Sequence, residues 1–355
     1  MVEILNTGLS SARTKYINKE VLYDFSVNIN PLGLPINVIS NVIEGLETCN
    51  KYPDLSCCEL RSLLSEKYLL PKDSFFVGNG ADDILYRIVY AFCPKKALII
   101  EPTFEEYEKV LRSVSCQVEH YILPEENNFN FCESVLNYIT DDLDILFLCN
   151  PNNPTGTICD LKLIHRILDK CRVNNVKLVI DECFMEFIPE WKEYSAKFFI
   201  KEYDNLIVID AFTKTYALAG FRLGFCVCGN LKILDALNLN GQDYSVSTPA
   251  QLAGIGALTS AEYLPLTYEF VQKEREFMQG SLKRLPVKVY PSRTNFLLFF
   301  CKDSLLVEKL RHYNIKVRDC SEFYSLSNRY HRIAVSTRKN NQYFVQVLEE
   351  IMRNS

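Results

Sequence analysis

Histidine is scarce, with four in 355 residues, and none falls beside a closely spaced cysteine pair. Zinc-type ligand spacing is therefore missing, and no metal site is expected. A basic excess is missing too. The 39 lysines and arginines face 44 aspartates and glutamates, a net charge of −5, which gives no cationic stripe for nucleic acid. No apolar run reaches the roughly 18 residues of a membrane helix. The opening residues Met1-Val2-Glu3-Ile4-Leu5-Asn6 lack the basic and apolar regions of a secretory signal. Internal repeats and low-complexity linkers are absent. Cysteine is plentiful at 14, but it is scattered among apolar residues, as at Cys57-Cys58, Cys149, Cys226 and Cys228. That pattern suits reduced, buried thiols. The expectation is a soluble, cytoplasmic, enzyme-sized protein with no membrane or nucleic-acid partner.

What is present is a large apolar fraction, 48% of the chain, enough for two domains or one large domain with a satellite. Short apolar runs at 97–100, 145–149, 178–180, 206–209 and 224–228 read as strands. Helix-like segments at 82–92, 105–113, 161–174 and 193–202 alternate with them. Such alternation predicts an α/β domain with a mostly parallel sheet and ligands at the strand C-termini. From about 245 the pattern changes to a long helix at 261–285, strands at 296–300, 315–318 and 332–335, and helices at 304–313 and 341–351. We expect residues 1–45 to form an arm and part of a small domain, 46–244 a large domain, and 245–355 the rest of the small α+β domain. A helix is expected at 36–46.

One stretch carries most of the chemistry: Ala211-Phe212-Thr213-Lys214, running on to Gly220-Phe221-Arg222-Leu223-Gly224. Lys214 follows an apolar strand, and Arg222 comes eight residues later between glycines. A lysine so placed could present a neutral amine to an aldehyde while the arginine's planar fork holds a phosphate. Pyridoxal 5′-phosphate (PLP) carries both groups; an ordinary surface lysine is the alternative. Gly78-Asn79-Gly80-Ala81-Asp82 opens a helix whose free N–H groups attract anions, although a plain strand-to-helix turn explains it as well. Asn150-Pro151-Asn152-Asn153-Pro154-Thr155-Gly156 is either a generic turn or a rigid one aiming an asparagine at a ring oxygen. Asp181 lies just past a strand, as a helix N-cap or as an anion keeping a pyridine nitrogen protonated. A protonated ring is the electron sink of PLP chemistry.

In this order, residues 150–156, Asp181-Glu182, Thr213-Lys214 and Arg222-Leu223-Gly224 resemble fold-type I PLP enzymes of the aminotransferase class I/II superfamily over nearly the whole chain. The resemblance implies a large domain with a mixed, mostly parallel seven-stranded sheet, a small α+β domain, and a homodimer with a shared active site. It implies that Lys214 bonds the cofactor and that Gly80, Ala81, Asp82, Thr213 and Arg222 hold its phosphate. Tyr107 would stack on the ring, Asn153 contact the ring oxygen, and Asp181 the ring nitrogen. Tyr52 would reach the neighbouring subunit's phosphate, and Arg332 would grip the substrate carboxylate.

Finer features are similar to the threonine-phosphate decarboxylase branch: residues 24–33, the run Val317-Arg318-Asp319-Cys320-Ser321, and Arg332 fourteen residues after Arg318. Phe184 stands where the related histidinol-phosphate aminotransferases usually have tyrosine, whose hydroxyl phenylalanine lacks. Ala211 replaces a frequent serine, Ser336 a frequent arginine, and Gly8-Leu9-Ser10-Ser11 replaces the branch's His-Gly-Gly. The resemblance implies decarboxylation of O-phospho-L-threonine or O-phospho-L-serine, with Asn28, Arg318 and Arg332 binding substrate and residues 10–11 near its phosphate. Transamination of a phosphorylated substrate is the alternative. A PLP-binding regulator without turnover is a third possibility, for which no DNA-binding domain is visible.

Overall fold

The structure, a computed structural model, describes residues 22–354. Thirteen strands lie within them: β1 (Tyr23–Asp24), β2 (Phe75–Gly78), β3 (Lys96–Glu101), β4 (Gln117–Ile122), β5 (Ile145–Cys149), β6 (Lys177–Asp181), β7 (Leu206–Ala211), β8 (Gly224–Val227), β9 (Lys288–Val289), β10 (Phe296–Phe300), β11 (Ile315–Lys316), β12 (Arg318–Asp319) and β13 (Tyr330–Ala334). Seven form one sheet in the order β2-β8-β7-β6-β5-β3-β4. Only β8 runs against its neighbours, so the sheet is mixed and mostly parallel.

Every residue of β5 and of β7 is buried, as expected of strands covered on both faces. Helices supply that cover. In helix Leu161–Val173 the buried Leu163, Ile164, Ile167, Leu168 and Cys171 form one apolar stripe. Its start is fixed by Asp160, whose carboxylate accepts the Leu163 N–H at 2.8 Å.

A four-stranded antiparallel sheet, β12-β13-β10-β9, has its own apolar core including Phe25, Met278, Leu297, Phe299 and Phe344. β1 pairs in parallel with β11, which ties the first described residues to this part of the molecule. No helix among the described residues is long and apolar enough to cross a membrane.

Two expected elements differ. The helix at 193–202 is replaced by two short 3₁₀ turns, Trp191–Glu193 and Ala196–Lys201. Buried Glu182 causes the break: it accepts from the Ser195 hydroxyl and from the Ala196 N–H, both at 2.6 Å, and so withdraws that N–H from an α-helical ladder. The strand at 315–318 is split at Val317, its first half pairing with β1 and its second with β13.

Candidate active site

Parallel strands β5, β6 and β7 end side by side, with Cys149 beside Asp181 and Asp181 beside Ile209. Residues from this edge, from the segment before helix Ile36–Gly45, and from β12 and β13 line one cavity of ≈590 Å³. Lys214, Asp181, Asn153, Thr213, Arg222, Ala81, Asp82, Asn28, Arg318 and Arg332 all reach it.

One end suits a phosphate. Helix Ala81–Phe92 begins there without a side-chain cap, so its first N–H groups are open to an anion. Gly80 precedes it with φ +87°, and a Cβ there would come within 2.9 Å of Arg222 Nη2. Both facts call for glycine. Thr213 adds a hydroxyl. Arg222 adopts a left-handed φ of 55° and pairs with Asp82 at 2.6 Å. The Asp82 carboxylate thus engages the arginine, leaving its backbone N–H as the donor for a phosphate.

The middle suits an aromatic ring. Asp181 is nearly buried and still reaches the cavity. Its Oδ1 accepts the Cys183 N–H at 2.9 Å and its Oδ2 the Tyr107 hydroxyl at 2.6 Å. Tyr107 therefore does not face the cavity as expected of a stacking residue. It is fully buried behind Asp181 and stacked on Phe147. The physical reason is visible in its helix, where Tyr107, Val110 and Leu111 form the buried face. Phe104, three residues earlier in the same turn, lines the cavity instead.

Lys214 keeps part of its surface open to the cavity and is enclosed by protein elsewhere. Burial, aided by the positive charge of Arg332, holds its amine below the usual lysine range. Its Nζ lies 5.9 Å from the centre of the Phe184 ring. Phe184 packs edge-on against Phe296, so this wall of the cavity is apolar.

The far end is cationic. Arg332 is buried, donates to Asn153 Oδ1, and donates to the Ser26 carbonyl at 2.9 Å. Its Nε has no partner among the described residues, and burial lowers its pKa to about 10. Both amide atoms of buried Asn28 are likewise without partners among the described residues. Unsatisfied buried polar groups at a cavity wall are costly unless a ligand completes them. Arg318 is already paired, to Glu105 at 2.7 Å and Glu322 at 3.0 Å.

Tyr52 lies apart from this cavity, 83% exposed and in contact with Tyr244 at 4.8 Å between ring centres. Residues 10–11 lie outside the described residues. Sequence reasoning missed Phe104, Glu105, the Ser26 carbonyl and the exposed Arg311 and Lys316 at the cavity mouth. It also missed the clamp behind the site. There Lys197 has no exposed side-chain surface and sits 2.7 Å from both Glu182 and Asp210, which joins the ends of β6 and β7. A polar residue inside an apolar run was the available signal for Asp210 and Lys197.

The residues present fit PLP: an uncapped helix start with Arg222 and Thr213 for its phosphate, Asp181 for its ring nitrogen, and an enclosed amine with no carboxylate partner among the described residues for its aldehyde. Comparison with known proteins agrees. The family described as aminotransferase class I and II matches residues 20–348. A threonine-phosphate decarboxylase of Salmonella typhimurium is 32% identical, over 95% of this chain and 93% of that protein. A histidinol-phosphate aminotransferase of Methanococcus aeolicus is 31% identical, over 96% and 93%. Among solved structures, the histidinol-phosphate aminotransferase of Clostridium acetobutylicum superimposes with a TM-score of 0.88 at 28% identity, covering 94% of this chain and 100% of that one. The L-threonine-O-3-phosphate decarboxylase of Porphyromonas gingivalis gives 0.82 at 27%, covering 93% and 99%. The chain belongs to the aminotransferase class I and II family, whose fold-type I enzymes depend on PLP.

Proposed function

We propose that this protein decarboxylates an O-phosphorylated L-amino acid, O-phospho-L-threonine or O-phospho-L-serine, to CO2 and a phosphorylated amino alcohol. The observation that carries the substrate class is the pairing of Arg318 with Arg332. They are Cα partners in the antiparallel β12–β13 ladder, and both line the Lys214 cavity. Two cations side by side suit a substrate with two anionic groups.

PLP, when bound, supplies an electron sink for the bond broken at the substrate Cα. Lys214 is its attachment point; its lowered pKa keeps the amine ready to attack an aldehyde. Asp181, held by Tyr107 and Cys183, would hold a proton on the ring nitrogen, and Phe104 would offer the aromatic wall. Arg332 holds the carboxylate with Asn153 behind it, and Arg318 with Asn28 takes the phosphate. The Cα–carboxylate bond breaks with its electron pair left at Cα. Lys214 Nζ, lining the same cavity, would be the group placed to take up a proton from water and deliver it to that Cα.

Decarboxylation is supported by Phe184, which sets an apolar ring where histidinol-phosphate aminotransferases usually have a hydroxyl, and by relatives named threonine-phosphate decarboxylase. Transamination of a phosphorylated substrate is the second reading, favoured by the relatives named histidinol-phosphate aminotransferase. We further infer a homodimer. Ile36, Ile39 and Ile43 form an exposed apolar stripe on helix Ile36–Gly45, and exposed Tyr52 would serve the partner's phosphate site.

The substrate class is tested by adding amino acids to the holoenzyme and following its visible absorbance. O-Phospho-L-threonine or O-phospho-L-serine should perturb the band at concentrations at least about tenfold below those needed of threonine or serine, a difference of ~1.4 kcal/mol. Equal responses with and without the phosphate would remove the phosphorylated class.

A further inference from the structure

Residues paired directly across an antiparallel ladder project from the same face, and like charges placed so repel. Arg318 and Arg332 are such a pair. Arg332 has no carboxylate partner among the described residues. Arg318 has two, and they differ in origin. Glu322 is four residues along the same segment, whereas Glu105 lies beside Phe104, 213 positions away in sequence. The Arg318–Glu105 contact therefore joins β12 to the segment that carries the aromatic wall.

Nothing local explains where the Glu105 carboxylate points. Glu105 sits at the N-cap of helix Glu106–Arg112, but its side chain makes no capping hydrogen bond. Its backbone carbonyl serves the helix, and its carboxylate goes to Arg318 instead. The side chain is 42% exposed, so it can leave Arg318 for water without leaving a buried charge behind.

We propose that Glu105 is a specificity-determining residue: its carboxylate occupies Arg318 as an internal stand-in anion that a phosphate displaces and a carboxylate does not. The inference rests on the phosphorylated-substrate reading above. A ligand carboxylate would replace one carboxylate by another on the same guanidinium and gain little. A phosphate dianion carries twice the charge and more acceptor oxygens for the planar fork, and Lys316 lines the same cavity. Dicarboxylic amino acids are thereby disfavoured by a built-in competitor, a repulsive element of specificity.

Two unreactive probes with the same two-methylene spacer between their acidic groups test this, succinate and 3-phosphonopropionate, titrated by calorimetry into the holoenzyme, whose cofactor phosphate site is filled. Wild type should prefer 3-phosphonopropionate. Glu105→Gln should tighten succinate by about tenfold (~1.4 kcal/mol) and 3-phosphonopropionate by less, so that the preference narrows. In an Arg318→Gln background the same substitution should leave the ratio unchanged. If Glu105→Gln leaves the ratio unaltered or widens it, or narrows it equally without Arg318, the proposal falls while the phosphorylated reading stands. If wild type shows no preference for the phosphonate, both fall.

Discussion

Tyr107 donates its hydroxyl hydrogen to Asp181 Oδ2 over 2.6 Å, from the side of Asp181 turned away from the cavity. The tyrosine thus supports the acid, and Phe104 faces the cavity. Tyr107→Phe removes a donor from a buried carboxylate and should cost about 1–3 kcal/mol of stability, read as a melting point lower by a few degrees. Phe104→Ala should instead speed cofactor loss on dialysis by about five- to tenfold, with the fold intact. Unchanged retention in Phe104→Ala would return the stacking role to another residue.

Lys214 gives a pH dependence with a definite sign. Burial holds its pKa below 10.5 in the folded state, so between that lowered value and 10.5 the unfolded chain binds more protons. Stability of the cofactor-free protein therefore rises with pH across that window. Lys214→Met abolishes the dependence, and its stability margin over cofactor-free wild type should narrow from pH 7 towards pH 10 in urea titrations. A margin independent of pH would mean that the amine is not desolvated.

His331 acts at the acid end. It is fully buried on β13 beside Arg332, neither ring nitrogen has a partner among the described residues, and burial lowers its pKa from 6.5 to about 4, with Asp319 and Asp303 opposing in part. The unfolded chain takes up the proton first, so stability falls as pH drops from 6.5 to about 4, by about 3 kcal/mol in all. His331→Leu should flatten that part of the stability–pH curve.

The stripe of Ile36, Ile39 and Ile43 tests the inferred assembly. Ile36→Glu with Ile43→Glu places charges on an apolar contact and should shift the sedimenting species from dimer to monomer. The same species in both proteins would move the interface elsewhere.

Much of the fold was legible because its strands are extreme. β5 is five apolar residues, all buried, and no helix-period pattern competes with it. β4, Gln-Val-Glu-His-Tyr-Ile, was missed because an edge strand needs little apolar surface and shows no clean alternation. The 193–202 segment was misread because its helical pattern is local, while the force that breaks it comes from Glu182, distant in sequence. Lys214, Asp181 and Arg222 announced themselves by following strands or glycines. Phe104 did not, because two aromatics share one turn and only the burial of helix Glu106–Arg112 decides which of them faces inward. Glu105 was silent for a different reason: its partner Arg318 lies 213 positions away, and no spacing along the chain encodes that.

Which bond breaks at the substrate Cα separates decarboxylation from amino transfer. Holoenzyme given O-phospho-L-threonine or O-phospho-L-serine, with no keto acid present, should release CO2 in amounts many times the enzyme concentration, with a phosphorylated amino alcohol accumulating in step. Turnover that begins only when 2-oxoglutarate is supplied, with no CO2 released, would contradict decarboxylation and establish amino transfer.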